Sequence, residues 1–323
     1  MRIVFMGTPA LAAQTLEAVA AEHEIALVAT QPDRPAGRRH ELQAPPVKLW
    51  ALEHDIPVAQ PERARDESFV ARVREVRPEA IAVVAFGQIL PQEILDMPRE
   101  FYAHGTCVNL HYSLLPRWRG AAPVQRAIEH GDHVTGVSTQ HMAAKLDAGD
   151  LILSEQIEIG AEETAGELFE RLIPLGTKVL LETLRLVAKG EAPRIPQNES
   201  QATLAPSIKA EETKLDWHEP ARQLAHQIQA FNPRPGTVAT FREKPLKVWR
   251  ARPAKSTFRG EAGKIQFHEN RVLVATGNPP HFSGESHDAL ELIEVQPAGK
   301  ARMNAADWAR GVRLEEGETF GQD

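Results

Sequence analysis

The first ninety residues alternate between short apolar runs and stretches whose apolar residues recur at helical spacing. Apolar runs at Arg2 to Met6, Glu24 to Thr30 and Ala80 to Phe86 predict buried strands. Helical spacing over Leu11 to Ala21, and again over Val47 to Glu53, predicts helices that alternate with the strands. This βαβ order is typical of a parallel sheet with right-handed crossovers. We therefore predict an α/β, Rossmann-like, mostly parallel sheet in the amino-terminal part of the chain.

Residues 107 to 125, which read CVNLHYSLLPRWRGAAPVQ, combine a strand, a polar pair and a cationic loop. Asn109 and His111 lie two residues apart on the predicted strand, so their side chains share one face of the sheet. Pro116 lacks a backbone donor, and the chain must leave the strand before it. Because ligands of α/β sheets bind beyond the carboxyl ends of strands, this stretch is a candidate active-site edge. Taken alone, an Asn and a His on a strand are more often structural residues with hydrogen bonds of their own.

A second polar stretch, KLDAGD at residues 145 to 150, favours the functional interpretation. It follows a strand predicted over Thr135 to Met142 and places Asp147 in a glycine-bearing loop. The four residues His130, Asp132, His133 and His141 lie nearby in sequence, but no two have the spacing of a known zinc motif. No G-x-G-x-x-G follows the first strand. We therefore expect neither a metal nor a dinucleotide cofactor.

The pattern changes after residue 190. Thr164 and Glu167 have capping-box spacing for a helix that ends at Gly190, and residues 191 to 206 then contain three prolines and little apolar content. One helix is predicted over Pro220 to Phe231, and short alternating segments follow that predict a small β-barrel. These segments are Thr237 to Arg242, Leu246 to Arg250, Ile265 to Phe267, Arg271 to Ala275 and Ala289 to Val295. We predict one domain at residues 1–190, a linker at 191–206 and a second domain at 207–323.

Composition describes an ordinary soluble globular protein, with 323 residues, 42% of them hydrophobic and 25% charged. Cys107 is the single cysteine, which excludes an internal disulfide and suits a reducing cytoplasm. Because Cys107 lies in an apolar strand, a buried inert thiol is favoured over a nucleophile. No apolar run approaches the roughly 18 to 20 residues of a membrane span. We expect a soluble cytoplasmic protein.

Charge is unevenly distributed along the chain. The net charge of -7 argues at first against a nucleic-acid partner. Residues 241 to 264, however, carry eight Lys and Arg against two Glu, a local net charge of +6. This segment fits either a solvated charged face or contact with a phosphate backbone.

A second basic segment lies in the connection from residue 31 to residue 46, which contains Arg38, Arg39 and His40. It exceeds the usual two to six residues of a βα loop, and such long loops are usually functional or disordered. Composition fits a substrate-binding loop and a flexible surface loop equally well.

Six segments of the chain resemble the methionyl-tRNA formyltransferases. They are MRIVFMGTP at the amino terminus, TQPDRPAGR at 30–38, AFGQILP at 85–91, SLLPRWRGAAPVQRAI at 113–128, LDAGD at 146–150 and AFNPRPG at 230–236. SLLPRWRG preceded by Asn-x-His is a strong signal for folate-dependent formyl transfer. The paired arginines and TQPDRPAGR point more narrowly to the enzyme that acts on tRNA.

The resemblance implies transfer of a formyl group from the co-substrate 10-formyltetrahydrofolate to the α-amino group of methionine on initiator tRNA. Asn109 and His111 would donate hydrogen bonds to the oxyanion of the tetrahedral intermediate. Asp147 would hold His111 protonated and assist removal of the amine proton. The implied folate site is lined by the backbone near Phe86 and Gly87 and by Ser113, Leu114, Leu115 and Pro116.

The resemblance also implies a formyltransferase fold for the first domain and an OB-like barrel for the second. In the basic loop, Arg38 matches the arginine of the family's P-A-G-R, and Arg38 and Arg39 would engage the acceptor end of the tRNA. No metal and no membrane are implied, and we expect a monomer.

Two alternatives stay open on the sequence alone. The same chemistry could act on another amine, such as an amino-sugar nucleotide or glycinamide ribonucleotide. A tRNA-binding protein could also have kept the fold without catalysis, although the presence of Asn109, His111 and Asp147 speaks against it.

Overall fold

The computed structural model describes residues 1–36, 41–256, 258, 260–277 and 287–321. The chain divides into two compact units. Unit 1 comprises Met1–Pro123, Thr135–Ile157 and Glu170–Pro206, and unit 2 comprises Val124–Val134, Glu158–Phe169 and Ser207–Asp323. Two segments from the amino-terminal half of the chain therefore belong to the second unit.

The first 190 residues form sixteen helices and strands among the described residues. They are β1 (Arg2–Gly7), α1 (Ala10–Glu22), β2 (Glu24–Ala29), β3 (Arg34–Ala36), β4 (Glu41–Gln43), α2 (Pro46–Glu53), β5 (Val58–Ala59), α3 (Glu67–Glu75), β6 (Ala80–Val84), α4 (Gln92–Phe101), β7 (Thr106–His111), β8 (Arg119–Gly120), α5 (Pro123–Glu129), β9 (Val134–His141), β10 (Leu151–Glu158) and α6 (Ala165–Lys189).

Seven of these strands form one sheet in the order β10-β9-β7-β6-β1-β2-β5. Strands β5, β2, β1, β6 and β7 are parallel to one another, and β9 runs antiparallel to β7. The run AIAVV of β6 is fully buried, as expected for a central strand covered on both faces. The prediction of a Rossmann-like, mostly parallel sheet is confirmed.

Two elements differ from the prediction. The connection from residue 31 to residue 46 contains a hairpin in which Arg34 pairs with Gln43 and Pro35 with Leu42. Arg38, Arg39 and His40 lie outside the described residues. Helix α4 occupies a segment for which no element is predicted from the sequence, and it follows Pro91 and contains Pro98.

Residues 191–206, for which the sequence predicts a linker, have little regular structure and belong to unit 1. The backbones of Leu151 and Ile195 exchange two hydrogen bonds, of 2.8 and 3.1 Å. A short strand, β11 (Leu204–Ala205), pairs in parallel with β8. The sequence does not show these pairings. Strands β8 and β11 have only two residues each, and the bridge between Leu151 and Ile195 is isolated.

The remaining elements belong to unit 2. They are α7 (Ala221–Phe231), β12 (Thr237–Phe241), β13 (Lys244–Ser256), β14 (Ile265–His268), β15 (Arg271–Ala275), β16 (His287–Pro297), β17 (Met303–Asn304) and α8 (Ala305–Val312). The strands form an antiparallel sheet in the order β12-β13-β16-β15-β14, with β17 paired to β16. Helices α7 and α8 contact this sheet and share its core, in which Trp217 stacks on Phe320 with ring centroids 4.9 Å apart. The prediction that the carboxyl-terminal part is built from β-strands is confirmed, although β13 and β16, with 13 and 11 residues, are longer than the predicted segments.

The capping box predicted at the start of α6 is present. Thr164 accepts a hydrogen bond from the Glu167 backbone through Oγ1, and the Glu167 carboxylate accepts from the Thr164 backbone at 2.9 Å. No helix in the part of the chain that the structure describes is long and apolar enough to span a membrane.

Candidate active site

The candidate site lies at the edge of the unit 1 sheet where β6 and β7 end. These strands are parallel neighbours, with Val83 opposite Asn109 and Val84 opposite Leu110. Their carboxyl ends therefore meet at one edge, which is where α/β sheets bind ligands. Phe86 and Gly87 follow the first strand, and residues 112–116 follow the second.

Asn109, His111 and Asp147 come together at this edge. The Asn109 Nδ2 lies 3.4 Å from Asp147 Oδ1, and His111 Nδ1 lies 3.7 Å from Asp147 Oδ2. The His111 and Asp147 side chains are 7% and 12% exposed, so their interaction is only weakly screened by water. A chain separation of 38 residues between Asn109 and Asp147 is closed here by the pairing of β7 with β9.

The ring of His111 is oriented by a backbone carbonyl. Its Nε2 lies 2.8 Å from the Trp118 carbonyl oxygen, and because a carbonyl only accepts, Nε2 carries a proton and donates. Nδ1 is then the nitrogen that faces the Asp147 carboxylate. A second proton on Nδ1 would make the ring a cation directed at that carboxylate.

Asp147 is held in a left-handed backbone conformation, with φ of 47°, by several donors. Its Oδ2 accepts from the Gly120 backbone at 2.9 Å, and its Oδ1 accepts from Gln140 Nε2 at 3.2 Å. Gln140 lies directly opposite Asn109 on β9, and its Oε1 accepts from the Gly149 backbone at 3.0 Å. The sequence does not identify either partner, because the register of β7 and β9 brings Gln140 to the carboxylate and the folded loop after β7 brings Gly120 there.

Residues Ser113 to Pro116, which the resemblance assigns to folate, form a turn fixed by Ser138. Ser138 Oγ donates to the Ser113 carbonyl at 2.8 Å and accepts from the Leu115 backbone at 3.1 Å. Ser113 Oγ donates to the Arg117 carbonyl at 2.6 Å. The turn is thus rigidly attached to β9, and the structure places it beside His111 at the end of β7.

Phe86 and Gly87 occupy the same edge at the end of β6. The Phe86 ring is 2% exposed and belongs to the core, while its carbonyl oxygen accepts from Thr8 Oγ1 at 3.0 Å and Gln31 Nε2 at 3.1 Å. Gly87 has φ of +84°, a conformation that L side chains rarely adopt. The chain here presents backbone rather than side chain at the edge of the sheet.

The two arginines that flank Trp118 differ in environment. Arg117 is exposed, with its guanidinium 5.6 Å from the Trp118 ring centroid. Arg119 is 3% exposed and binds Glu199 at 2.8 Å, and Glu199 also binds Lys145 at 2.7 Å. Arg119 and Lys145 together lower the pKa of Glu199 to about 2. Arg119 is therefore committed to a structural ion pair.

Cys107 is buried, and burial raises the pKa of its thiol well above the ordinary value. A thiol kept in the neutral form in an apolar strand is a poor nucleophile, which confirms the interpretation from sequence. Among the residues that the structure describes, no group of three or more His, Cys, Asp or Glu side chains could hold a metal ion.

His141, at the end of β9, makes the free energy of unfolding depend on pH. It is 6% exposed, donates through Nε2 to the Pro193 carbonyl at 3.0 Å and accepts from Thr106 through Nδ1 at 2.8 Å. Burial lowers the pKa of His141 below its ordinary value of 6.5. The unfolded chain then binds this proton more readily, so the stability contributed by His141 is present above about pH 6.5 and is lost as pH falls below it.

We therefore expect His141→Gln to flatten the decline in the free energy of unfolding between pH 7 and pH 5. Urea unfolding at closely spaced pH values measures this slope. His54→Gln, at an exposed histidine, is the matched control and should leave the slope unchanged. Equal slopes for wild type and His141→Gln would show that His141 does not cause the pH dependence of stability.

Comparison with known proteins follows the two parts of the chain. Residues 1–184 match the family model described as formyl transferase, and residues 207–313 match the one described as formyl transferase, C-terminal domain. A methionyl-tRNA formyltransferase of Moorella thermoacetica is 45% identical over 322 residues, which cover 99% of each chain.

Solved structures share the fold at much lower identity. WlaRD, a sugar 3N-formyl transferase crystallised in the presence of dTDP and 5-N-formyl-THF, superimposes with a TM-score of 0.63 at 15% identity, covering 93% of this chain and 99% of that one. HypX from Aquifex aeolicus in complex with tetrahydrofolic acid gives a TM-score of 0.63 at 15% identity, covering all of this chain and 51% of that one. These two structures establish the fold, and the relative that is 45% identical along its whole length establishes the family. The chain belongs to the methionyl-tRNA formyltransferase family.

Proposed function

We propose that this chain transfers the formyl group of 10-formyltetrahydrofolate to the α-amino group of methionine on initiator tRNA, as a monomer in the cytoplasm. The observation that carries the proposal is the cluster of Asn109, His111 and Asp147 at the carboxyl-end edge of the sheet. An amide and an imidazole that both face one carboxylate supply donors for an oxyanion and an acceptor for a proton. The methionyl-tRNA formyltransferase of Moorella thermoacetica supports methionyl-tRNA as the acceptor, and the complex of HypX with tetrahydrofolic acid supports a folate as the donor.

The reaction needs no nucleophile from the protein. The amine nitrogen attacks the formyl carbon, the tetrahedral intermediate collapses, and the bond from carbon to N10 of the folate breaks. One proton leaves the amine and one proton reaches N10, so the exchange balances without an oxidant or a metal. The protein must therefore stabilise the oxyanion and carry a proton.

Asn109 and His111 are the donors in this scheme. The Asn109 amide has two N–H groups, one directed at Asp147, and the described residues provide no acceptor for the other. Since His111 Nε2 is bonded to the Trp118 carbonyl, Nδ1 is the nitrogen through which His111 would reach the oxyanion. Asp147, whose Oδ2 lies 3.7 Å from Nδ1, would stabilise the doubly protonated ring through its charge, so that the Nδ1 N–H donates to the oxyanion. The Asp147 carboxylate would also accept the proton that the amine loses.

The folate would be held largely by backbone. Gly87 adds no side chain at the end of β6, and the turn at Ser113–Pro116 is fixed by Ser138. Rigid backbone that is already satisfied by internal hydrogen bonds is suited to shape recognition of a flat ring. This arrangement supports assigning Phe86, Gly87 and the turn at residues 113–116 to the folate site.

The hairpin of β3 and β4 supports tRNA as the second substrate. Asp33, just before β3, binds Lys48 of α2 at 2.8 Å and accepts from Gln60 at 2.7 Å. Lys48 and Gln60 lower the pKa of Asp33, which keeps this anchor ionised. The hairpin thus has a fixed base, while Arg38 and Arg39 stand between its strands in sequence. Cationic residues that follow one anchored strand and precede another in sequence are suited to phosphate contacts that set the register of a nucleic acid.

The basic segment at residues 241–264 is partly neutralised in unit 2. Three of its arginines face carboxylates from other segments, in the pairs Arg242 with Glu318, Arg250 with Glu167 and Arg252 with Glu291. Lys244 and Lys255 are exposed and, within the described parts of the chain, have no carboxylate at ion-pair distance. The local charge of +6 therefore overstates what is available to bind phosphate, and the two lysines are the candidates.

We expect Arg38→Ala to lower kcat/KM for methionyl-tRNA by about tenfold or more, because a charge-assisted phosphate contact contributes about 1.5 to 3 kcal/mol. Affinity for a folate analogue should stay at the wild-type value. Formylation of charged initiator tRNA at several salt concentrations measures the effect. The slope of log(kcat/KM) against log salt concentration should become shallower by the equivalent of about one phosphate contact.

Arg65→Ala, at an exposed arginine outside the hairpin, is the matched control. In parallel, the wild type is assayed with amino-sugar nucleotides and with glycinamide ribonucleotide. If the wild type prefers either small amine, that amine and not methionyl-tRNA is the acceptor substrate. If the Arg38 variant formylates methionyl-tRNA with wild-type kinetics, Arg38 does not belong to the tRNA site.

A further inference from the structure

Gln197, in the segment predicted as a linker, contacts the turn that carries Asp147. Its Nε2 donates to the backbone carbonyls of Asp147 at 2.9 Å and Gly149 at 2.8 Å, and lies 3.3 Å from Gln140 Oε1. Its Oε1 accepts from Arg119 at 2.7 and 3.2 Å. One half-buried side chain therefore joins the 147–149 turn to β8.

Both segments that Gln197 joins take part in orienting the reacting groups. The residue before Arg119 supplies the carbonyl that accepts from His111, and Gly120 after it donates to the Asp147 carboxylate. The 147–149 turn carries that carboxylate itself. Gln197 thus fixes the distance between the Trp118 carbonyl, which orients His111, and the Asp147 carboxylate, which faces His111.

The rest of the segment keeps Gln197 in place. Thr203 accepts from the Arg119 backbone at 2.9 Å through its carbonyl oxygen and from the Trp118 backbone at 2.9 Å through Oγ1. Glu199 binds the guanidinium of Arg119 from the other side. Residues 197–205 are therefore bound to the loop after β7 by backbone and side-chain contacts rather than lying free.

The chemistry of these contacts requires an amide. The two carbonyls need a donor, and the guanidinium needs an acceptor. A glutamine side chain provides both at one end, whereas a glutamate of the same size accepts only and would face two carbonyl oxygens with a negative charge. Glutamine-to-glutamate substitution accordingly breaks the link to the Asp147 turn while keeping the link to Arg119.

We propose that Gln197 is a positioning residue for catalysis, which sets the place of Asp147 relative to His111. The proposal rests on the proposed role of Asp147 in formyl transfer. A displacement of about 1 Å in a catalytic group can cost on the order of a hundredfold in rate. We expect Gln197→Glu and Gln197→Ala to lower kcat between about tenfold and a hundredfold, with KM for methionyl-tRNA and for 10-formyltetrahydrofolate within about twofold of wild type.

The test measures kcat and both KM values for the full-length chain carrying Gln197→Glu, Gln197→Ala or Gln201→Ala. Gln201 belongs to the same segment, is exposed and has no side-chain hydrogen bond among the described residues, so its variant should match the wild type. A kcat loss confined to the two Gln197 variants supports positioning. A lower unfolding midpoint with unchanged kcat would overturn it and leave Gln197 a structural residue.

A double-mutant cycle with Asp147→Asn separates this inference from the function it rests on. If Gln197 acts through Asp147, Gln197→Ala should cost little in the Asp147→Asn background, because the group it positions is already disabled. Equal costs in both backgrounds would overturn the inference. Wild-type kcat in Asp147→Asn alone would instead refute the proposed catalytic role of Asp147, and the positioning role with it.

Discussion

Replacing Asn109 or His111 with alanine is expected to lower kcat for formyl transfer by about a hundredfold to a thousandfold. Each side chain is proposed as a donor to the oxyanion, and loss of one such donor typically costs about 2.7 to 4 kcal/mol of transition-state stabilisation. The effect should be on kcat rather than on folate affinity, since the oxyanion exists only in the transition state and intermediate.

Asp147→Ala should have an effect of similar size for a different reason. Removal of the carboxylate leaves the Gly120 backbone and Gln140 without their acceptor and takes away the group that faces His111. Asp147→Asn keeps the volume and one acceptor oxygen, so it separates loss of charge from disruption of the turn. Combined substitutions should be less than additive, because the three groups serve one intermediate.

Steady-state kinetics with methionyl-tRNA, folate-analogue titration and urea unfolding together measure these variants. His54→Ala, at an exposed histidine on unit 1, is the control for a histidine outside the cluster. Near-normal turnover in the His111 variant would exclude His111 from oxyanion stabilisation. A large loss of folate affinity in the Asn109 variant would assign it to ground-state binding instead.

Gly149→Ala is expected to damage both stability and activity. A Cβ at residue 149 would lie 1.7 Å from the His141 carbonyl oxygen, so the backbone of β9 or of the turn must move. Forcing atoms into a filled space typically costs about 1 to 3 kcal/mol, and here the displaced turn carries Asp147. We expect a lower free energy of unfolding together with at least about a tenfold loss of kcat.

Gly311→Ala provides the matched control for that substitution. Residue 311 lies in α8, and a Cβ there meets no atom within 4 Å. Alanine in a helix is favoured over glycine by about 0.5 to 1 kcal/mol, so this variant should be as stable as the wild type or more stable, with unchanged kcat. Wild-type activity in Gly149→Ala would mean that the turn relaxes without moving Asp147, and would weaken the case that its position is critical.

The features of the site that could be predicted are those that depend on residues close together in the sequence. The Asn-x-His spacing places two side chains on one face of a strand, and that geometry follows from the two-residue period of any strand. The buried run of β6, the capping box at Thr164 and Glu167, and the inert thiol of Cys107 were likewise determined by near neighbours. The resemblance to known formyltransferases then connected Asp147 to the pair across 36 residues of chain.

The contacts that hold the site in place could not be predicted, because their partners are distant in the chain and chemically ordinary. Gln140 faces Asn109 only through the antiparallel register of β7 and β9. Gln197 reaches Asp147 across 50 residues from a segment whose composition predicts nothing more than a linker. An amide has no periodicity or spacing that marks it, so only the folded backbone shows which carbonyls lie within its reach.

The sequence by itself determined the parallel sheet, the β-strand character of the carboxyl-terminal part and the residue types available for formyl transfer. Those features depend on short-range periodicity and on side-chain chemistry, which the chain carries before it folds. The tertiary structure alone decided which of the two arginines beside Trp118 is committed to an ion pair, and how much of the basic segment is neutralised by carboxylates elsewhere. It also decided that residues 197–205 bind the loop after β7, because hydrogen bonds between distant segments exist only once the sheet has brought those segments together.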